Sequence, residues 1–242
     1  MSNQKDTINK VRSIIQRSSN IVFFGGAGVS TESNIPDFRS SEGLFKQERS
    51  AEEILSASFF KKHPKEFYAF YKNQMIHAHA RPNPAHHTLA RLEQQGKLRA
   101  VITQNIDGLH QLAGSNIVLE LHGSVHRNFC TECETFYSID QILNSTEPVP
   151  RCVQCNGIIK PDVVLYEENL DEDIIDSALD FIAKAEVLIV GGTSLRVFPA
   201  AGLLNYYGGE HFVLINQAPT SYDFRADYVI YDQIGKVMSQ FI

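Results

Sequence analysis

The 242-residue sequence has no long hydrophobic run and no apolar core among its first residues, MSNQKDTINK. Its longest apolar stretches are short, strand-like segments such as residues 21–24, whereas a membrane-spanning helix needs roughly eighteen or more apolar residues. The first residues also lack the pattern of a secretory signal peptide. We therefore expect a cytoplasmic protein without a membrane partner.

A cluster of basic residues is also missing. The sequence contains 22 Lys and Arg against 28 Asp and Glu, which gives a formal charge of −6. Because surfaces that bind nucleic acid are basic, we expect no nucleic-acid partner. There is no internal repeat, and the length suits one large domain or a large domain with a small one.

Cysteine is scarce, and none is left over from two pairs: Cys130 with Cys133, and Cys152 with Cys155. Two Cys-x2-Cys pairs separated by eighteen residues are typical of a zinc ribbon. The alternative is two disulfides, which would require an oxidising compartment. Four thiolates fill a tetrahedral site, so the spacing predicts one structural Zn²⁺ and not a catalytic metal.

Short apolar runs alternate with helical patterns along most of the chain, as they do in a doubly wound sheet. Asn83 is placed to cap a helix that starts at Pro84, and Asp171 is placed to cap another. The predicted parallel strands are 20–24, 100–103, 117–121, 162–166, 187–190, 212–215 and 228–230, and the predicted helices include 84–95, 171–185 and 199–207.

Two stretches break this alternation. Residues 50–80 are helix-rich and aromatic, and residues 125–160 carry the cysteine pairs. We interpret both as insertions that form a small second lobe, with ligands bound in a cleft beside it. The aromatic residues are best explained as the core between helices. The predicted fold class is therefore α/β, a doubly wound parallel sheet with a smaller inserted lobe built from a helical module and a zinc ribbon.

A glycine-rich segment, GGAGVST, follows the first strand at 25–31. Glycines at such a point let the backbone approach a phosphate beside a helix N-terminus. The dinucleotide fingerprint would need a glycine where Thr31 stands, so an ordinary tight turn remains the alternative.

The segment IPDFR follows at 35–39 and concentrates polar and aromatic groups. Arg39 could pair with a phosphate or ribose, and Phe38 could cover a planar ring. An internal ion pair between Asp37 and Arg39 is an equally good interpretation from these residues alone.

Polar residues also follow the second strand, in TQNIDGLH at 103–110. Gln104, Asn105 and Asp107 suit ribose hydroxyls or a carboxamide, although turns use the same residue types. His122 ends a further strand just before the cysteine segment. An imidazole there is a candidate general base, against the alternative of a structural histidine.

Two later strands also end in polar residues, GGTSL at 191–195 and Asn216-Gln217. They fit contacts to a nucleotide, with turn chemistry as the alternative. The segment KPDVV at 160–164 begins a strand whose edge could accept an extended peptide by strand addition.

Taken in order, these segments resemble the bacterial-type sirtuins, a family of NAD-dependent protein lysine deacylases. The resemblance covers residues 20 to about 234 and rests on a set of matching segments. These are GAGVS at 26–30, IPDFR at 35–39, TQNID at 103–107, HG at 122–123, the cysteine pairs, PDVV at 161–164, GTSL at 192–195 and Asn216.

The resemblance implies a Rossmann-like lobe at 1–45, 81–124 and 161–242, and a small lobe from the helical insertion 46–80 and the zinc-binding insertion 125–160. It also implies the co-substrate NAD, one structural Zn²⁺, and an acylated-lysine protein or peptide bound along Val163 and Val164. His122 would be the general base, with Asn105 and Asp107 as further catalytic residues. The implied NAD contacts are Ala27, Thr31, Phe38, Arg39, Gln104, Ile106, Asp107, His122, Thr193, Ser194, Asn216 and Asp232.

In the family's reaction the acyl oxygen attacks the ribose C1′ as nicotinamide leaves, and the products are free lysine, nicotinamide and 2′-O-acetyl-ADP-ribose. Three positions depart from the family's usual residues: Gly25, Asn34 and Glu167. Asn34 stands where glycine is usual, and we expect it to adopt the left-handed conformation.

Acyl preference is predicted from Tyr71 and Gln74, which fall where succinyl- and malonyl-preferring sirtuins carry Tyr-x-x-Arg. Without that arginine, we expect acetyl or another neutral acyl group to be preferred. We expect a monomer. Two other functions stay open from sequence: mono-ADP-ribosyl transfer from NAD, and a nucleotide-sensing binding module that would not need His122 as a base.

Overall fold

The computed structural model describes residues 2–37 and 50–242 and contains two sheets. The helices are α1 (Ser2–Arg17), α2 (Ala51–Ile54), α3 (Ala57–Lys62), α4 (Pro64–Phe70), α5 (Pro84–Gln94), α6 (Leu109–Leu112), α7 (Ile139–Leu143), α8 (Glu172–Lys184) and α9 (Ile234–Met238). The strands are β1 (Ile21–Gly25), β2 (Leu98–Thr103), β3 (Val118–Glu120), β4 (Gly123–Cys130), β5 (Phe136–Ser138), β6 (Ile159–Val163), β7 (Val187–Gly191), β8 (His211–Asn216) and β9 (Tyr228–Tyr231).

The larger sheet is parallel throughout, in the order β3-β2-β1-β7-β8-β9. Every residue of β1 and β7 is buried, as expected for parallel strands that are covered on both faces. The strand order reverses between β1 and β7, where Gly25 is in register with Gly191. In doubly wound sheets, ligands bind outside the carboxyl ends of the strands at such a switch point.

Helices cover both faces of the parallel sheet. Apolar residues of α1, α5 and α9 form one core with the sheet, and residues of α8 and the 3₁₀ segment Ala200–Tyr206 form the other. The predicted caps are confirmed. The Asn83 side chain accepts a hydrogen bond from the Ala85 amide at 2.9 Å, and Asp171 accepts one from Ile174 at 3.0 Å.

A small lobe has its own core and its own antiparallel sheet, in the order β5-β4-β6. Helices α2 to α4 and the π-helical turn Tyr71–Met75 pack their aromatic residues into this core. Phe67 stacks on Tyr71 and meets Phe60 edge to face, with ring centroids 4.9 Å apart in the second pair. Their burial confirms that the aromatic residues of the segment 50–80 form the core between helices.

Three local predictions differ from the structure. Residues 162–166 were predicted as a parallel strand, but β6 ends at Val163 and pairs antiparallel with β4. Within the predicted helix 199–207, Ala200–Tyr206 form a 3₁₀ helix instead of an α-helix, and two short 3₁₀ turns replace the expected helix N-terminus after Gly26. Within the described ranges, none of the helices has the length and apolar character of a bilayer span.

Candidate active site

The glycine-rich loop after β1 packs directly against the loop after β7. The Gly28 amide donates to the Gly192 carbonyl at 2.7 Å, and a Cβ atom on Gly28 would lie 2.8 Å from the Gly192 Cα. Gly192 itself has a φ of +61°, in the left-handed region that favours glycine. Asn34 also adopts this conformation at a φ of +61°, which confirms the expectation for that position. Close packing therefore requires glycine where β1 and β7 end.

His122 lies between β3 and β4, and its ring orientation is set by one hydrogen bond. Its Nδ1 lies 2.9 Å from the Gln104 carbonyl oxygen. A carbonyl only accepts, so Nδ1 carries the proton and Nε2 is left as the basic nitrogen. Burial lowers the pKa of His122, and the carbonyl contact opposes that shift. The imidazole is therefore neutral near pH 7 and able to accept a proton.

Asp107 is held at the end of a hydrogen-bond chain that begins at Asn105. The Asn105 amide donates to the Ser30 hydroxyl at 3.1 Å, and Ser30 donates to Asp107 at 2.6 Å. The Leu109 amide donates to the other Asp107 oxygen at 2.9 Å. Desolvation raises the pKa of Asp107, while the hydrogen bonds from Ser30 and Leu109 oppose the rise.

Ser30 is a component of this site that the sequence did not single out. Its side chain is 1% exposed and joins the glycine-rich loop to the loop after β2. It stands inside the segment GAGVS, but serine in a turn is so common that composition gives no separate signal for it.

A second hydrogen-bond chain joins the ends of β2, β7 and β8. Gln104 donates to the Thr193 hydroxyl at 3.1 Å, and Asn216 donates to the Thr193 carbonyl at 2.9 Å. The Asp232 amide then donates to the Asn216 carbonyl at 3.1 Å. Four of the expected NAD contacts therefore line one edge of the sheet, from β2 to the end of β9.

The remaining expected contacts lie around this edge or outside the described residues. Ala27 and Thr31 are half-buried in the glycine-rich loop, and Ser194 is exposed after β7. Ile106 packs against the core of the small lobe. Phe38 and Arg39 lie outside the residues that the structure describes.

Asp232 carries a local ion pair with Lys236, whose ammonium lies 2.7 Å from the carboxylate. This hydrogen bond lowers the pKa of Asp232. The carboxylate therefore stays ionised at the far end of the candidate nucleotide site.

The four cysteine sulfurs form one cluster, in which all Sγ atoms lie within 4.8 Å of one another. Cys130 and Cys155 are 3.3 Å apart, and Cys133 and Cys152 are 3.5 Å apart, so none forms a disulfide. Zinc with four sulfur ligands at about 2.3 Å places the sulfurs about 3.8 Å apart in a tetrahedron. The cluster therefore fits one Zn²⁺ with no ligand position left for a substrate.

Strand β6 is one of the two edge strands of the small sheet, and it ends at the expected peptide-binding residue Val163, which Val164 follows. It pairs with β4 on one side, where Gly123 is in register with Val163. The Val164 amide donates to the His122 carbonyl at 3.0 Å. The edge that could accept an extended peptide is thus tied directly to the residue that bears the candidate base.

Comparisons with known proteins identify relatives along nearly the whole chain. Residues 26–199 match the model of the Sir2 family. An NAD-dependent protein deacetylase of Clostridium perfringens is 57% identical over 242 residues, which cover 98% of this chain and 99% of the relative.

Two solved structures are similar along nearly the whole chain. One is a Sir2 protein with a deacetylated p53 peptide and 3′-O-acetyl ADP ribose, with a TM-score of 0.89, 37% identity, and coverage of 96% of each chain. The other is a Sir2 protein with a p53 peptide and NAD⁺, with a TM-score of 0.86, 38% identity, and coverage of 96% of this chain and 95% of that one.

Proposed function

The chain belongs to the Sir2 family, and from that premise we propose that it is an NAD-dependent protein deacetylase. In the proposed reaction, an acetyl group moves from a lysine side chain to the ADP-ribose part of NAD. The products are free lysine, nicotinamide and 2′-O-acetyl-ADP-ribose.

The observation that carries this proposal is the neutral His122 imidazole with its tautomer fixed. Acyl transfer to a ribose hydroxyl requires a group that removes the hydroxyl proton. The Gln104 carbonyl keeps the His122 proton on Nδ1, and burial lowers the His122 pKa, so Nε2 is available as the acceptor at neutral pH. A nucleotide-binding module would not need such a base at the switch point of the sheet.

We assign Asn105 and Asp107 to the ribose and nicotinamide end of NAD. Support comes from their position after β2 and from the hydrogen-bond chain through Ser30, which fixes both side chains. Fixed polar groups lower the cost of reorganisation when charge changes on the ribose. Phe38 is assigned to cover the reacting face of the ribose.

The rest of the NAD site would follow the carboxyl ends of the parallel strands. Two groups of residues support this assignment: the glycine-rich loop, whose backbone packs against Gly192, and the hydrogen-bond chain from Gln104 to Asp232. The proposed contacts are Ala27, Thr31, Phe38, Arg39, Gln104, Ile106, Asp107, His122, Thr193, Ser194, Asn216 and Asp232.

Zinc would act only as a crosslink in the small lobe. Cys130 and Cys152 are buried and Cys133 and Cys155 are exposed, so the ion would join the core of the lobe to its surface turns. Because β4 runs from beside His122 to Cys130, the ribbon would hold that strand in place without taking part in the reaction.

The acyl-lysine partner is proposed to bind as an added strand beside Val163 and Val164. Backbone pairing of this kind recognises an extended peptide with little dependence on its sequence. It would bring the modified lysine beside His122, because the Val164 amide already bonds to the His122 carbonyl.

We propose that the enzyme prefers substrates whose acyl group is neutral. Tyr71 is buried in the small-lobe core, its hydroxyl has no hydrogen-bond partner among the described residues, and burial raises its pKa. Gln74 lies three residues further in the same π-helical turn and carries no charge. A succinyl or malonyl carboxylate would therefore find no cation at either position, and burying it unpaired is costly.

The test is to incubate the zinc-loaded protein with NAD and an acetyl-lysine peptide, and to follow nicotinamide, deacetylated peptide and O-acetyl-ADP-ribose. The 2′ and 3′ isomers are separated by chromatography at early times. The His122→Ala variant should bind NAD and zinc and lose acetyl transfer by at least about a hundredfold, the usual range for a general base. Unchanged turnover in that variant would remove the proposed role of His122.

The division into lobes at 1–45, 46–80, 81–124, 125–160 and 161–242 stays a proposal, since β4 and β6 cross two of its boundaries. A monomeric state, a cytoplasmic location and the absence of nucleic-acid and membrane partners stay predictions.

A further inference from the structure

Strand β4 contains an irregularity at residues 125–127. Ser124 is paired with Asp162 of β6, but the next residue of β4 to be paired is Asn128, with Pro161. Three residues of β4 are thus left out of the ladder between two consecutive residues of β6. Bulges of this kind bend a strand and redirect its side chains.

Although these three residues are unpaired in the β4–β6 ladder, each contacts the parallel-sheet lobe. The Val125 amide donates to the Ile106 carbonyl at 3.0 Å. Arg127 joins Glu120, at the end of β3, to Asp162, with distances of 2.6 and 2.7 Å. The bulge therefore ties the strand that leads to the cysteine ribbon to the loop that carries Asp107.

His126, at the centre of the bulge, contacts the backbone of Asp107. Its Nε2 lies 3.1 Å from the backbone carbonyl oxygen of Asp107. Because a carbonyl only accepts, His126 donates. The ring also lies against Gly108, where an added Cβ atom would be 2.7 Å from the ring and where φ is +71°.

The turn at Gly108 decides where the Asp107 carboxylate points. The positive φ of Gly108 lets the chain reverse, so that the Leu109 amide can donate to the carboxylate at 2.9 Å. The backbone carbonyl of Asp107 is therefore held by His126 while its side chain is held by Ser30 and Leu109. His126 is itself exposed and lines a cavity of about 400 Å³, so packing alone does not fix its ring.

We propose that His126 is a positioning residue for NAD, acting through the hydrogen bond from its Nε2 to the Asp107 carbonyl and through its contact with Gly108. This inference rests on the proposed function, in which Asp107 contacts the ribose and nicotinamide end of NAD. His126 touches neither substrate. It keeps the Asp107–Gly108 peptide in the orientation that presents the carboxylate to the site.

Two substitutions separate hydrogen bonding from ring contact. His126→Phe keeps an aromatic ring against Gly108 and removes the donor. His126→Gln keeps an amide donor that can replace Nε2. The matched control is His87→Phe, which changes an exposed histidine on α5.

Loss of one exposed hydrogen bond should weaken NAD binding about three- to tenfold, which corresponds to the usual net free energy of a single hydrogen bond. We expect the Kd for NAD, measured by titration calorimetry, and the KM for NAD to rise by that factor in His126→Phe. The KM for the acetyl peptide, the zinc content and the midpoint of thermal unfolding should match those of the wild type. His126→Gln and His87→Phe should stay within twofold of the wild type for NAD.

The outcomes distinguish this inference from the proposed function. If the wild type converts no NAD with the acetyl peptide, the proposed function fails, whatever the variants do. If the wild type is active and His126→Phe binds NAD as tightly as the wild type, only the positioning role fails. The role also fails if His126→Gln is as impaired as His126→Phe, because the donor would then be irrelevant.

Discussion

Two buried histidines beneath the candidate site should make the free energy of unfolding depend on pH. His86 on α5 and His110 on α6 are 0% and 1% exposed, and their rings lie 4.7 Å apart. His86 Nδ1 accepts the Asn83 amide at 3.2 Å, but its Nε2 and both nitrogens of His110 have no partner among the described residues. Within residues 2–37 and 50–242, no acid group pairs with either ring to offset a positive charge.

Burial lowers the pKa of His86 from 6.5 to about 4, with a smaller effect from the charge of His87, and it lowers the pKa of His110 in the same direction. The two imidazoles therefore bind protons more readily in the unfolded chain than in the folded protein. The resulting stability is fully present above pH 6.5 and is lost as the pH falls towards 4. Proton linkage at His86 alone gives a loss on the order of 1 kcal/mol between roughly pH 7.5 and pH 5.5.

The informative variant is His86→Gln. Glutamine is a usual partner at this position of a capping box, so it can still accept the Asn83 amide. Because glutamine does not titrate, the variant should lose less stability than the wild type over the same pH range, by an amount on the order of 1 kcal/mol. Urea unfolding of the zinc-loaded protein at several pH values measures this difference, and shifts common to both proteins, including those from His122, cancel.

His87→Gln is the matched control, since it changes the neighbouring exposed residue of the same helix. It removes only the smaller cause of the lowered His86 pKa, so it should keep most of the pH dependence of the wild type. If His86→Gln loses as much stability between pH 7.5 and 5.5 as the wild type, the reasoning from burial is refuted.

Three further predictions concern the zinc ribbon, the acyl site and the contact between lobes. Cys152→Ala should lose zinc and deacetylation together, whereas His122→Ala should lose activity and keep stoichiometric zinc, measured by atomic emission. Deacetylation by zinc-free protein would contradict a structural role for the metal. Gln74→Arg should raise the ratio of desuccinylation to deacetylation about tenfold or more in paired peptide assays, and a wild type that already prefers succinyl peptide would refute the proposed preference. Arg127→Met leaves the Glu120 carboxylate, which is 6% exposed, without its cation. The free energy of unfolding in urea should fall by about 2 kcal/mol, less than for a fully buried pair because Arg127 is 40% exposed. Arg127→Lys should lose less than Arg127→Met. Equal stability of the wild type and both variants would contradict this.

The parallel sheet was predictable because its strands are buried on both faces and appear as continuous apolar runs. The apolar run of β1 lies between Asn20 and a glycine, and the apolar run of β7 also ends at a glycine. The caps Asn83 and Asp171 were predictable because the capping side chain acts within its own helix. These features depend on local sequence.

Features that depend on pairing across the fold were not predictable. The apolar residues around Val163 indicate a strand, but they do not say which sheet it joins, and β6 returns to β4 after the cysteine ribbon. The bulge at His126 was not predictable either, because it depends on how β4 and β6 pair: three residues of β4 stand between two pairs that are consecutive in β6. Ser30 was missed because its importance lies in contacts with Asn105 and Asp107, about 75 residues away in sequence.

Product stoichiometry shows whether the protein moves an acetyl group from lysine to ADP-ribose. The measurement follows nicotinamide, deacetylated peptide and O-acetyl-ADP-ribose in one reaction of the wild-type protein with NAD and an acetyl-lysine peptide. We expect equal amounts of all three at every time point, and none of them without NAD. Deacetylated peptide that forms with free acetate and no nicotinamide, or nicotinamide that forms with ADP-ribosylated protein in place of the acetylated product, would contradict this transfer.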